Sequence, residues 1–447
     1  MYQKLTYFYT ILLLFTSLAL QAQQELNLNL RRSIWQANRT NPAFLPDHEF
    51  VIGLPSAYNN LYLMNSNLES LIDRENNVIT LGNIINQLEE DNHFQEYLEI
   101  ETLSGGFYLG KVHLSLHHAF KFNGTSNFPK ELVQLIHQGN AQFIGQTIDI
   151  SHDVSAFSYS EFGLGLGVKL GENISLGGRV KYLSGLGNIS TSKGDLQLRT
   201  DEEIYQLTLD ADYQIDATTF IQYNGLSSTE DGVAELMPIE FRQLFSANQG
   251  LALDAGMYLE FDNLDIGVSI LDIGSINWDD EARNYSINGI YDYEGLDLLN
   301  AYFQDSISFS SVLDSLETVF NVQESQNAYT TQLPTRLYAS FNYYLNDTWS
   351  VGAGFYGEWY RDDFFSAVTM NAQVIMSDFL SLGATYTLFD QNYDHLGVNA
   401  QIHLGPVQLY GMTNNILSTI NYRRGSNVDF RVGLNLRFAE LKEEEEY

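Results

Sequence analysis

The chain has no cysteine among its 447 residues, which rules out disulfides, thiolate metal sites, cysteine nucleophiles and a lipidated N-terminal cysteine. Stability must then come from packing and hydrogen bonds. Proline is scarce at 7, and the charged fraction is 17%, low for a surface that meets water all round. Bases are the rarer sign: 22 Lys and Arg against 56 Asp and Glu leave a formal charge of −34. A surface of that sign repels phosphate backbones, so nucleic acid is excluded as a partner and polybasic attachment to anionic lipid is disfavoured. Long apolar runs are missing too. Only Leu5–Leu20 forms one, and beyond it no stretch of about 18 apolar residues exists to build a spanning helix.

That run follows Lys4 and is followed by Ala22, a small residue where a peptidase can cut, so residues 1–22 read as a signal peptide. An exported chain without spanning helices is either soluble or crosses a membrane as strands.

What is present is period-two alternation. In "RLYASFNYYLN", Leu337, Ala339, Phe341, Tyr343 and Leu345 share one face, and Arg336, Tyr338, Ser340, Asn342 and Tyr344 the other. Trp349, Val351, Ala353, Phe355 and Trp359 oppose Ser350, Gly352, Gly354, Tyr356 and Glu358; "YSEFGLGLGVKL", "LGVNAQIHL" and "VDFRVGLNLRF" repeat the division. The apolar faces carry no charge. A soluble sandwich also alternates, so three further features decide. The runs are about 10 to 13 residues, the length of a tilted membrane strand. Trp349 and Trp359 bracket one apolar face at a separation of roughly 25 Å along the membrane normal, which suits two aromatic girdles. Short turns at Gly110-Lys111, 171–173, Asp262-Asn263, Asn346-Asp347, Ser377-Asp378 and Gly405-Pro406 fall at one end of the strands, and long segments near 59–103, 123–156, 217–249 and 273–333 at the other.

The expected fold is therefore all-β: a transmembrane antiparallel outer-membrane β-barrel of about 14 strands, with a range of 12 to 16. Sixteen candidate segments can be drawn, among them 174–190, 193–200 and 204–216. The expected organisation is a signal peptide at 1–22, an N-terminal plug segment at 23–47, the barrel at 48–438 and an acidic tail at 439–447. "FPKELVQLIHQGN" reads as a short amphipathic helix with Pro129 at its first position and Gly139 as its stop, and 296–320 as partly helical.

At "ANRTNPAFLPD", Asn41-Pro42-Ala43 resembles the N-P-A motif of the FadL-like long-chain fatty-acid transporter proteins, and Pro42 and Pro46 stiffen the segment around it. The order of that stretch, "KELVQLIHQGN", "SEFGLGLGVKLGENISLGGRVKYLSGLG" and "LPTRLYASFNYYL" is similar to an uncharacterised family of Bacteroidetes outer-membrane barrels related to that group and to the PorV-type barrels of type IX secretion. The resemblance implies a plug inside the barrel, residence in outer-membrane lipid as a multi-pass protein, and passage of a hydrophobic small molecule. The alternative it implies is an interaction barrel that assists a secreted or surface protein. In the last strand Arg431, Gly433, Leu436 and Phe438 fit the signal read by barrel-assembly machinery.

No catalytic motif, cofactor fingerprint or metal set stands out, so no enzyme activity, cofactor or metal is expected. His113 and His117, with His118 beside them, lie about 13 Å apart along a strand, too far for one ion. Glu161, Lys169, Arg179, Lys181, Asp254, Glu260, Arg336, Glu358, Arg431 and Arg437 fall on lumen faces, where mutual pairing is their expected use. Gly352, Gly354 and Gly357 spell G-x-G-x-x-G, but inside one continuous strand, without the βαβ setting a dinucleotide needs. Gly352 and Gly354 instead mark where the barrel interior should be least crowded, leaving room for a plug or a ligand.

Overall fold

A computed structural model describes residues 25–63, 85–218, 244–293, 322–361, 363–389, 392–420 and 427–441, with short pieces at 72–73, 78–79, 221–223 and 234–236. Fourteen antiparallel strands close on themselves. The first, β1, is interrupted: His48–Gly53 and Ser56–Leu63 both pair with the same two neighbours on either side of Leu54-Pro55. Proline has no N–H to give to a ladder, so the strand breaks there. Then follow β2 (Asp91–Leu109), β3 (Val112–Pro129), β4 (Asp153–Leu170), β5 (Ile174–Thr200), β6 (Gln249–Phe261) and β7 (Leu264–Trp278). The ring continues with β8 (Thr335–Tyr344), β9 (Trp349–Tyr360), β10 (Asp363–Ser377), β11 (Leu380–Phe389), β12 (Asn392–Leu404), β13 (Val407–Thr413) and β14 (Asn427–Glu440). The ladder from β14 to β1 completes the circle, so the sheet has no first and last strand to expose to hydrocarbon.

The alternation assigns the faces. Leu109, Leu116, Leu164, Leu251, Met370 and Leu404 are all more than half exposed on the outer wall, an apolar belt that suits a bilayer and not water. Trp349 and Trp359 both lie on that wall, near the two ends of β9. The polar faces turn inward, where Tyr338, Tyr356 and Glu358 are buried. Among the described residues no helix is long and apolar enough to cross a membrane.

The sixteen candidate segments reduce to fourteen for two reasons. Segments 174–190 and 193–200 are one strand of 27 residues, β5. Segment 204–216 is a strand, Leu207–Thr218, outside the ring; it pairs with the upper half of β5 and with Ala282–Tyr293. The regions read as long loops are also partly wall: β2 begins at Asp91, β3 runs to Pro129 and β4 begins at Asp153. Past the membrane both faces of a strand meet polar surroundings, so the alternation that marks a strand in sequence fades there. The resulting extension has its own small core of Phe143, Ile148, Leu198, Leu209 and Ala211. The helix at Lys130–Gln138 packs on it through Leu135; Pro129 precedes that helix in extended conformation and is not its first residue. The segment 296–320 and residues 1–24 lie outside the described residues. At the other end β14 runs to Glu440, two residues past the expected barrel end, and the Leu441 N–H donates to the Asp47 carbonyl at 2.9 Å.

Candidate functional site: the lumen and its N-terminal segment

The barrel interior is occupied by residues 25–47. They form one helical turn, Leu26–Asn29, and a 3-10 turn, Trp35–Arg39, nearly all buried. Asn41-Pro42-Ala43 is the most tightly seated part. Asn41 Nδ2 donates to the Met257 and Val268 carbonyls of β6 and β7 (3.2 and 3.4 Å), while its Oδ1 accepts the Ala43 N–H at 2.9 Å. Wall glycines make the seat. A Cβ at Gly177 would lie 2.1 Å from the Pro42 carbonyl oxygen, and one at Gly256 2.0 Å from Asn41 Oδ1. Gly167 accommodates Leu45, and Gly53 and Gly106 flank the Trp35 ring. The Trp35 indole N–H donates to Ser104 at 2.7 Å. Glycine inside a strand costs entropy and packing, so a cluster on one inner face signals close approach of another backbone. That signal was present in "GLGLGVKL" and "LGGRVKYL", but its partner lay far away in sequence.

Gly354 belongs to the same set: a Cβ there would sit 3.4 Å from Leu26 and 3.5 Å from Leu30. The room left by Gly354 is thus filled by this segment. A Cβ at Gly352 would be 2.4 Å from Asn371 Oδ1 and from the Phe341 carbonyl.

Above this seat the inward charges form a network. Glu161 accepts from Lys121 (2.9 Å) and lies 2.8 Å from His117; Arg179 pairs with Asp254 at 2.9 Å; Lys181 bridges Asp254 (2.8 Å) and Asp272 (2.6 Å). Arg336 also pairs with Asp272, and Arg431 with Glu25 and, at 3.2 Å, with Glu99. Arg39 of the N-terminal segment lies 3.3 Å from Glu101. Arg179 reaches the segment too, donating to the Asn38 carbonyl at 2.7 Å. Burial favours the neutral form of Glu25, whose pKa is raised although Arg431 opposes the shift. The structure therefore brings Glu161, Arg179, Arg336 and Arg431 together with Glu25, Glu99, Lys121, Lys181, Asp254 and Asp272. Glu358 stands aside, accepting the Tyr356 hydroxyl at 2.5 Å. Buried pairs of this kind are poor sources of net stability, but removing one partner is costly.

Towards the long-loop end the interior is aromatic. Tyr62, Tyr338, Tyr356 and Leu26 pack together, and Phe157, Tyr159, Trp278 and Tyr360 form a second cluster. Of the remaining candidates, Gly433 faces Tyr410 and Ser56 inside, while Phe438 lies outside, stacked on Phe50 at 6.0 Å. Leu436 pairs with Ile52 of β1 and Val407 of β13. His113 lies inside against Trp35; His118 lies outside, bonded to Thr102 and Ser160, each at 2.7 Å. Among the described residues no group of three or more His, Asp or Glu is arranged for a metal ion.

Besides the break in β1, the wall is irregular at β13. Strand β13 ends after seven residues, while β12 and β14 run on beside it. The five-residue helix Ile416–Ile420 packs against both neighbours there. Next to it, on the membrane face, lies a concavity of about 420 Å³ lined by Leu382, Val398, Ala400, Gly411, Thr419 and Phe430.

Fold and interior together define a closed transmembrane β-barrel whose N-terminal segment is packed into its lumen. The chain belongs to the family of unknown function DUF5723, whose model matches residues 42–414. No match was found among the curated proteins. Among solved structures, the chain is similar to the toluene transporter TodX of Pseudomonas putida at 10% identity, covering 94% of this chain and 97% of that one with a TM-score of 0.44. It is similar to a FadL homologue of Pseudomonas aeruginosa at 9% identity, 95% and 100% coverage and a TM-score of 0.43. The toluene transporter TbuX of Ralstonia pickettii matches at 9% identity, 91% and 94% coverage and a TM-score of 0.44. Likenesses of this order do not transfer a substrate.

Proposed function

We propose that the protein is an outer-membrane barrel through which a hydrophobic small molecule passes, leaving sideways through the wall beside β13. The observation that carries this reading is the apolar concavity at the end of that strand, where a five-residue helix stands in for a missing ladder. Downward passage is opposed by residues 25–47, held by many wall hydrogen bonds, and by a charged layer that an apolar solute would have to desolvate. The aromatic upper interior offers an apolar solute contact without that cost.

The cysteine-free background gives a direct test. Thr413 and Thr419 touch through their hydroxyls at 2.9 Å, so Thr413→Cys with Thr419→Cys brings two thiols within disulfide reach. The oxidised variant should lose uptake of apolar substrates in cells and regain it on reduction. Unchanged uptake of every apolar substrate tested, with the disulfide shown to be formed, would refute the lateral route.

A second reading is an interaction barrel that assists a secreted or surface protein. Its support is the folded extension built from the upper half of β5, Leu207–Thr218 and Ala282–Tyr293, which a simple pore does not need. Deletion of the gene should then alter the surface proteome; an unaltered one counts against this reading.

A further inference from the structure

We infer that the mouth of the barrel is gated by the turn between β9 and β10, which leans across the lumen and is latched to the far wall by Tyr360 and Arg361. The inference concerns access from the long-loop end, the outer face of barrels of this kind, and holds whatever solute the barrel carries.

The two strands meet in a tight turn at that end, with Tyr360 opposite Asp363 in the ladder. From β9 back to β4 is five strands round a ring of fourteen, roughly 24 Å along the wall at about 4.8 Å per strand. Yet the hydroxyls of Tyr360 on β9 and Ser155 on β4 lie 2.5 Å apart, and the Tyr360 ring stands 6.4 Å from that of Phe157. Arg361 reaches the same place: Nη1 donates to Asp153 at 2.5 Å, and Nη2 to the Thr191 carbonyl of β5 at 2.9 Å. The other arm of the turn crosses to the opposite side. Phe365 on β10 lies 6.1 Å, ring to ring, from His93 on β2, six strands away in the other direction. A round, open mouth would hold these groups far apart, so the turn bridges it.

The bridge closes what lies beneath it and is built to part. Tyr360 is buried in one cluster with Phe157, Leu183, Ala252 and Trp278, so with the latch made those side chains are shut off from the outside. β9 and β10 take their ladder partners from β8, from β11 and from each other. The far wall is therefore held through side chains, and the turn can swing back without breaking a ladder bond. The holding contacts are weak ones. The Arg361–Asp153 pair is about a third exposed on each side, and such pairs contribute little. The Tyr360–Ser155 bond is buried but joins two neutral hydroxyls, whose net contribution is modest. A mouth held in this way is closed most of the time and opens at small cost.

The chain has no cysteine of its own, so Ala252→Cys places one thiol beneath the turn, and Glu203→Cys places one on the exposed extension. Intact cells displaying the full chain are treated with a membrane-impermeant maleimide, and folding is checked by heat-modifiable migration. Ala252→Cys should label far more slowly than Glu203→Cys. Adding Tyr360→Phe and Arg361→Ala together should raise its rate about tenfold and leave that of Glu203→Cys unchanged. Arg361→Asp alone should also speed labelling, and Arg361→Asp combined with Asp153→Arg should return the rate towards that of Ala252→Cys, which a general loosening of the barrel would not do. Thr331→Cys, at a buried position where the hydroxyl accepts the Trp278 indole N–H at 3.0 Å, stands in if Ala252→Cys does not fold. Labelling of these buried thiols as fast as Glu203→Cys overturns the closed mouth, and a rate unchanged by every latch substitution overturns the latch. Faster labelling with unchanged uptake of apolar solutes supports the gate and counts instead against the passage proposed above.

Discussion

Two buried arginines, replaced in the same way, should behave differently. Arg31→Met removes a guanidinium whose burial is uncompensated by a carboxylate among the described residues: burial lowers its pKa to about 10, which corresponds to about 3 kcal/mol held against the charged form. Against that gain stands the hydrogen bond to Gln373 at 2.6 Å, worth about 1.5 to 3 kcal/mol because one partner is charged. The methionine replaces most of the stem packing. The two terms nearly cancel, so Arg31→Met should lie within about 1 kcal/mol of the parent. Arg179→Met instead breaks a buried pair with Asp254 and strips the Asn38 carbonyl of its donor. It should cost about 3 to 5 kcal/mol. The sign in pH follows from the depressed pKa: the contribution of Arg31 is present above its higher unfolded value and is lost as pH falls through about 10. The parent should thus gain stability relative to Arg31→Met on going from pH 9 to 11. Guanidinium unfolding in detergent, followed by tryptophan fluorescence and by heat-modifiable migration, measures all of this. Equal destabilisation by the two substitutions would refute the reasoning, because it would mean that Arg31 is compensated after all.

Other expectations follow from the same contacts. Gly177→Val would place side-chain carbon on the Pro42 carbonyl, 2.1 Å from its Cβ position; residues 25–47 should leave their seat, giving larger single-channel conductance in planar bilayers, and parent-like conductance would count against a snug seat. Leu198→Ala empties part of the small core outside the membrane and should cost about 2 to 4 kcal/mol locally. Limited proteolysis should then cut the extension faster while the barrel's own unfolding stays unchanged. The Asp201 carboxylate accepts the Glu203 and Ile204 N–H groups at 2.8 and 2.9 Å, which holds its pKa below the usual 3.8. The order of that hairpin tip should persist at neutral pH and fade as pH falls through the lowered value, and carbon-detected NMR of the carboxyl gives the midpoint; a midpoint at or above 3.8 would contradict the bonds.

The parts of the fold written in local chemistry were legible. Alternation assigned Phe341, Trp349 and Trp359 to the outer face and Arg336, Tyr338 and Glu358 to the inner one, because neighbouring residues of a strand point oppositely whatever they pair with. The tight turns were legible from Gly110, Gly171 and Gly405, each with the positive φ that glycine adopts freely. Strand ends beyond the membrane were not, since β2 to β5 continue where both faces are polar. The strand at Leu207–Thr218 was visible, but not that it lies outside the ring, for ring membership is a matter of partners and not of pattern.

The sequence by itself determined that this chain crosses a membrane as strands: the absence of a spanning helix and an uncharged apolar face on each strand leave a closed sheet as the form that satisfies the backbone in lipid. It also placed Glu161, Arg179, Arg336 and Arg431 on inner faces. Only the tertiary structure decided their partners, since Arg431 meets Glu25 across most of the chain and Arg179 meets Asp254 across a strand pair. It alone showed that Gly177, Gly256 and Gly354 are spaces shaped for residues 25–47, and that Arg31 is buried with no carboxylate beside it among the described residues. Period and turn chemistry act over a few residues and can be read along the chain. Charge compensation is a property of what surrounds a group in space, and that exists only once the barrel has closed.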